Sequence, residues 1–396
     1  MFRLLYAFCL LLSVACTSSA GRAGGPLVIR EGGVYAGGSY VSTSSRVPCV
    51  RIATTEPVVL ESCELRGPGL LIDATAGGAR LTVRNCHAFA ELPTEEMQAR
   101  GRFLEANNAV SLRVEHNYLE HTTGILVYQW SGDGTPAQTL TVRYNQARNI
   151  DGRFRSGSGA KVSFLQLNQV HGVSNVEIAW NQVVNEPNNS LVEDNINLHN
   201  SSGTPRSPLR VHNNYVQGAY PIPATAPAFT GTGMTTDGDG ASALTTTAYV
   251  EAYENQFVST CNAAMNIAAG HHNYYHHNRL VTSGLLPDGT RLRAPYAAVA
   301  IFNAYKQPET VFFANRVADN VIGFVRPGYT VPYASRHDLS TGACAACTGT
   351  THLPNPVTLQ TEQDEWTRWQ QKLQQNRVVV GPLPQAGASG VAPARH

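Results

Sequence analysis

The residues able to do chemistry crowd into the middle of the chain. Between Asn145 and Asn278 lie Arg153, Lys161, Glu193-Asp194, His199, Asp237-Gly238-Asp239 and His271-His272. Carboxylates two apart in a glycine-rich turn, such as Asp237 and Asp239, can ligate a hard cation like Ca²⁺ through oxygen. Asp194 can join them if its segment stacks alongside. The same spacing also makes an Asx-type turn with solvated carboxylates. A neutral imidazole at His199 or His271 suits proton transfer or metal binding. Arg153 and Lys161 flank a Gly/Ser loop, where they can hold the carboxylate of an acidic sugar or stand as plain surface cations.

These residues need a scaffold, and a repeated phrase supplies it. Val176–Asn181 and Leu209–Asn214 both read apolar, polar, apolar, two variable residues, then Asn. The period of two marks a half-buried strand. The phrase recurs at Leu112–Asn117 and Leu140–Asn145. It returns more loosely at Val250–Asn255, before Asn278 and at Val311–Asn315, and two earlier copies end in Cys63 and Cys86. The shortest spacings, 63 to 86 and 255 to 278, are 23 residues. Such a period, with strands and without a Leu-rich consensus, predicts a parallel β-solenoid. Its coils stack at roughly 4.8 Å, because no coil can bury its apolar edge alone. Asn at the bend can take left-handed dihedrals, can bond its own turn and can stack into an amide ladder.

A second strand precedes most copies of the phrase, as in Phe164–Asn168, Ile196–Asn200, Met234–Asp237, Asn266–His271 and Val299–Asn303. Stacked, it makes a second sheet. Its outward column is expected to contain Asp73, Glu105, Gln129, Gln166, His199, Asp237, His271 and Asn303, with a register open by one residue per coil. Gln166, Asn197 and Asn303 are the candidate substrate contacts. Arg153, Lys161, His199 and His271 are the candidate catalytic residues. Asp194, Asp237 and Asp239 are the candidate metal ligands.

The repeat occupies about residues 26–326 as one all-β domain. Beyond it, Thr361-Glu362-Gln363-Asp364 opens a helix with a capping-box-like start. Trp366, Trp369 and Leu373 share one face of that helix, which is expected to pack on the last coils. Residues 327–380 form this loop-and-helix unit, and 381–396 are expected to be a disordered tail.

Met1–Ala20 reads as an export signal, with Arg3 before an apolar Leu4–Val14 that is too short to span a membrane. Cleavage after Ala20 and lipidation at Cys16 are both open exits. The lipid at Cys16 would be the sole membrane contact. Export permits disulfides. Cys63 and Cys86 can be stacked free thiols or a bridge, and Cys344-Ala345-Ala346-Cys347 favours a local disulfide over zinc. A net charge of +1 gives no electrostatic case for nucleic acid. A monomer is expected.

The repeated phrase, the Asn/Cys ladder and the C-terminal helix resemble the right-handed parallel β-helix proteins of the pectin-lyase-like superfamily. That resemblance implies a polysaccharide partner, with lyases, glycoside hydrolases, epimerases and adhesins as the range of activities. Thr236-Asp237-Gly238-Asp239 and Gly270-His271-His272 are similar to polygalacturonase signatures, but the paired Asp-Asp element between them is missing. Arg206-Ser207-Pro208-Leu209-Arg210 is one residue shorter than the Arg-x-Pro-x-x-Arg of pectate lyases. β-Elimination on an acidic glycan is therefore the expected activity. Hydrolysis by paired carboxylates and a non-catalytic binding solenoid are the alternatives.

Overall fold

A computed structural model describes residues 23–227, 231–331, 333–340 and 342–384. The expected signal at Met1–Ala20, the expected lipidation at Cys16 and the expected tail from residue 385 lie outside these residues. Among the described residues the strands form three all-parallel sheets, of twelve, ten and eleven strands. Successive strands visit the three sheets in turn. Each coil is therefore one three-sided turn of a right-handed parallel β-helix.

The Asn phrase builds the eleven-stranded sheet. Its inward residues stack in strict register, from Val83 through Val114, Val142, Ile178 and Val211 to Val317. All are buried in one continuous core. Each such side chain contributes about 1.5–3 kcal/mol by leaving water. The second strand builds the ten-stranded sheet, which contains Leu165–Asn168, Asp194–His199, Thr232–Asp237, Ala263–Ile267 and Ala297–Ile301. The twelve-stranded sheet was not anticipated from the sequence. Its strands follow the Asn, as in Gln146–Arg148, Gln182–Val184 and Tyr215–Ala219. Strands this short carry too few alternations to show a period.

The Asn ladder forms, with one correction to its mechanism. The left-handed residue is the one before the Asn, with φ of 57° at His116, 60° at Tyr144 and 57° at Trp180. That bend turns the Asn itself into the interior. Asn181 Nδ2 donates to Asn214 Oδ1 at 2.9 Å, Asn214 to Asn255 at 2.9 Å, and Asn278 to Asn320 at 3.0 Å. Each acceptor also takes the backbone N–H of the preceding rung, as Asn214 Oδ1 does from Asn181 N at 3.0 Å. The last rung is Asn320, after Arg316–Ala318, and not Asn315. Cys63 and Cys86 continue the column as free buried thiols, whereas Cys344 and Cys347 form a disulfide.

The C-terminal helix spans Leu359–Asn376. It begins ahead of Thr361, because Thr358 is the N-cap and Thr361 completes the capping box. The helix lies along the flank of the twelve-stranded sheet. Trp369 and Leu373 pack with Tyr215 and Val258, and Trp369 Nε1 donates to Gln182 Oε1 at 2.8 Å. The end of the ten-stranded sheet is covered by a different segment. The N–H groups of Ala298 and Ile301 donate to the carbonyls of His337 and Ala343. Residues 381–384 do not behave as the expected tail. Gly381 N–H donates to Tyr144 O at 2.7 Å and Leu383 N–H to Asn85 Oδ1 at 3.2 Å. The bends of earlier coils offer these partners, so the chain runs back along the rod.

Candidate functional site

The outer face of the ten-stranded sheet carries two polar columns. Gln166, Asn197, Thr235 and Asn266 are direct neighbours on adjacent strands. Two residues further along, Asn168, His199 and Asp237 form the second column. Gln166 thus belongs to one column and His199 with Asp237 to the other, although all three face outward.

Loops at both edges of this sheet close a cleft of about 390 Å³ over the columns. Its lining includes Lys161, Gln166, Glu193, Asp194, Asn197, Thr232, Thr235, Asp237, Asn266 and Tyr305. Five of the residues expected from sequence therefore meet here: Lys161, Gln166, Asp194, Asn197 and Asp237.

The centre of the cleft is an amide shared by two carboxylates. Asn197 Nδ2 donates to Asp194 Oδ2 at 2.9 Å and to Asp237 Oδ2 at 3.2 Å. Gln166 Nε2 lies 3.4 Å from Asn197 Oδ1 and fixes the amide's orientation. Asp194 Oδ1 accepts from the hydroxyl of Thr232, and from that of Thr235 at 3.1 Å. The Tyr305 hydroxyl faces Asp237. His199 Nδ1 stands 3.6 Å from Asp237 Oδ2, an ion-pair distance too long for a hydrogen bond. Lys161 Nζ pairs with Glu193 Oε1 at 2.9 Å on the rim.

The two aspartates titrate in opposite directions. Burial pushes Asp194 up to about 6, against the hydrogen bonds from Thr232 and Asn197. Burial also opposes ionisation of Asp237. There the His199 ring, the Tyr305 hydroxyl and the Asn197 amide outweigh it and hold the carboxyl below the usual range. The same contact with Asp237 raises His199, against its partial burial.

The other expected site residues go elsewhere. Arg153 is committed to the buried Asp151, with Nε 2.7 Å from Oδ1, and Arg100 shares that carboxylate. Asn303 closes its own loop, accepting from Gln307 N–H at 2.8 Å and donating to Gln307 O at 2.7 Å. His271 opens the strand His271–His276 of the eleven-stranded sheet, stacked on Phe313 with its Nε2 2.9 Å from Ala243 O. The reason is Gly270, which turns the corner at φ +82°, where a Cβ would fall 1.6 Å from Thr247 O. In that coil the outward residue beside Thr235 is Asn266. Asp239 is 73% exposed, bonded to Asn200 on the far side of His199. Asp194, Asp237 and Asp239 therefore do not converge. Among the described residues no group of three His, Cys, Asp or Glu could hold a metal ion.

Tyr305, Thr232 and Thr235 were not singled out from sequence. Thr235 was legible, since it sits one coil from Asn197 in the same column. Tyr305 was not, because a loop brings it in and no period governs loops.

The chain matches no family model, no curated protein and no solved structure.

Proposed function

We propose that this chain is an exported glycan-cleaving enzyme that hydrolyses a neutral polysaccharide with Asp194 as general acid and Asp237 as nucleophile. The observation that carries this reading is the shared Asn197 amide, with one carboxyl raised and the other lowered. Environments that push two carboxyls apart divide the labour of acid and base. Both Oδ2 atoms lie within 2.9 and 3.2 Å of one nitrogen. Their separation cannot exceed those two lengths end to end. That is shorter than the ~6.5–9.5 Å of inverting pairs and suits the double displacement of retaining ones.

In the first step the Asp194 proton passes to the glycosidic oxygen as the C–O bond breaks. The Asp237 carboxylate bonds the anomeric carbon. In the second step the Asp194 carboxylate takes a proton from water, whose oxygen displaces Asp237. Lys161 and Glu193 cancel on the rim, leaving the cleft's charge to the two aspartates. A uronate carboxylate 4 Å from ionised Asp237 would meet a repulsion of about 4 kcal/mol at an effective dielectric of 20. That favours a neutral sugar over the acidic glycan expected from sequence.

The reading accords with a place in the pectin-lyase-like superfamily, whose members include hydrolases. Fold alone does not select among their activities. Export would proceed through Met1–Ala20, with cleavage after Ala20 or lipidation at Cys16. A second reading, β-elimination, is favoured by His199 beside Asp237.

The test is a panel of neutral and acidic polysaccharides. Cleavage of a neutral member without an ultraviolet-absorbing unsaturated product is expected. Asp194→Asn should lower turnover by about 10²–10⁴-fold, the range of general acid catalysis. Unsaturated ends released from an acidic member would select elimination instead.

A further inference from the structure

A second cleft lies on another side of the rod, between the C-terminal helix and the twelve-stranded sheet. Its volume is about 390 Å³, and Val184, Gln217, Pro287, Glu362, Gln363 and Trp366 line it. This size falls in the range of small-ligand pockets, roughly 300–1,000 Å³. The strands that supply Val184 and Gln217 belong to the coils that carry the catalytic cleft on their other face.

The lining is divided by chemistry. Trp366, Val184 and Pro287 make an apolar side. Trp366 meets the Tyr215 ring edge-on, with centroids 5.2 Å apart, which fixes the indole plane. Gln217, Gln363 and Glu362 make a polar side. The Tyr215 hydroxyl donates to Gln217 Oε1 at 2.7 Å, so the amide is held with its NH₂ unspent on that contact. Glu362 is 9% exposed, and its Oε1 accepts the Ser283 N–H at 2.5 Å. Burial pushes its carboxyl up to about 7, against the hydrogen bonds from Ser283 and Ser259.

Trp369, Leu373 and the Glu365–Arg279 pair, with Arg279 Nη2 2.6 Å from Glu365 Oε1, anchor the helix beside this cleft, and Glu362 adds its bond to Ser283. Trp366 remains only partly buried, one turn above Glu362. An indole on one side of the cleft, with the held Gln217 amide and the Glu362 carboxyl on the other, suits the two faces of a pyranose ring. The C–H face packs on the aromatic, and the hydroxyls find donors and acceptors. Binding two parts of one polymer would raise its effective concentration at the catalytic cleft.

We propose that the cleft around Trp366 is a non-catalytic glycan-binding site that seats a sugar ring of the polymer while another stretch enters the catalytic cleft. The class of ligand rests on the proposed glycan activity. The test reads binding alone, so that the two can fail separately. The full chain carrying Asp237→Asn is titrated calorimetrically with gluco-, xylo- and mannohexaose. Saturable binding of at least one hexaose is expected, weakened tenfold or more by Trp366→Ala and by the pair Gln217→Ala with Gln363→Ala. Trp366→Phe should keep most of it. Circular dichroism of each variant checks that the helix is retained. Titrations unchanged by these substitutions, or no binding by any hexaose, would overturn the site. Trp366-dependent binding without cleavage of any polysaccharide would leave the site standing and remove the proposed activity.

Discussion

At the scale of single residues, the surroundings of Asp194 and Asp237 set them apart. Asp194 is 9% exposed and receives two hydroxyls and one amide. Asp237 faces the His199 ring and the Tyr305 hydroxyl. The first environment favours the neutral acid and the second the anion. A carboxyl raised in the folded state supports folding most below its unfolded value, near pH 4. That support is lost as pH rises through about 6. Asp194→Asn should therefore unfold at a higher temperature than the parent. The gap should open between pH 4 and 7 and stay level above. It should reach about 3 kcal/mol, since each pH unit separating the folded and unfolded titrations is worth about 1.36 kcal/mol. Thermal melts across that range check it. A constant gap would show that this carboxyl is not raised in the folded protein. The sequence showed Asp194, Asn197 and Asp237 because they sit on strands whose period fixes the face. It misplaced His271, because Gly270 turns the corner one residue before it and no pattern marks a corner.

At the scale of elements, the ladder and the helix are the two devices that hold the cleft's coils in place. Asn214 donates to Ile178 O and to Asn255 Oδ1, both at 2.9 Å, and its Oδ1 serves two donors of Asn181. Asn214→Ala would leave a buried backbone N–H and a buried amide unserved, at about 1–3 kcal/mol each. We expect a loss of roughly 2–6 kcal/mol in denaturant unfolding. Asn117→Cys, which extends the thiol part of the column by one rung, should cost less than Asn117→Ala in the same experiment. On the helix, Glu365 is 2% exposed and meets Arg279 through two contacts. Arg279→Met leaves that carboxylate to Gln256 at 2.9 Å and Arg368 at 3.7 Å and should cost up to about 3–5 kcal/mol, the range for breaking a buried pair. Loss of less than about 1 kcal/mol, the scale of an exposed pair, would mean that the helix does not rely on this contact. The Asn phrase and the helix were both legible from sequence. The short strands after each Asn were not, since one inward residue such as Ala147 or Val183 makes no period.

At the scale of the whole molecule, repetition makes the architecture readable and the activity obscure. Every coil repeats the same burial problem, so the rod shows in the sequence many times over. The cleft occurs once, built from Gln166, Asn197 and Thr235 on three successive strands and from Lys161 and Tyr305 on loops at opposite edges. Its charge also belongs to the whole assembly. Lys161 looks like a partner for an acidic sugar until Glu193 is placed 2.9 Å away. The stereochemistry of the first product reports on the roles of Asp194 and Asp237. Proton NMR of a fresh digest should show the anomer of the cleaved bond retained, because two carboxylate oxygens 2.9 and 3.2 Å from one amide nitrogen lie closer together than the ~6.5–9.5 Å of inverting pairs. An inverted anomer, or an unsaturated sugar at the new end, would contradict the assignment of Asp237 as nucleophile.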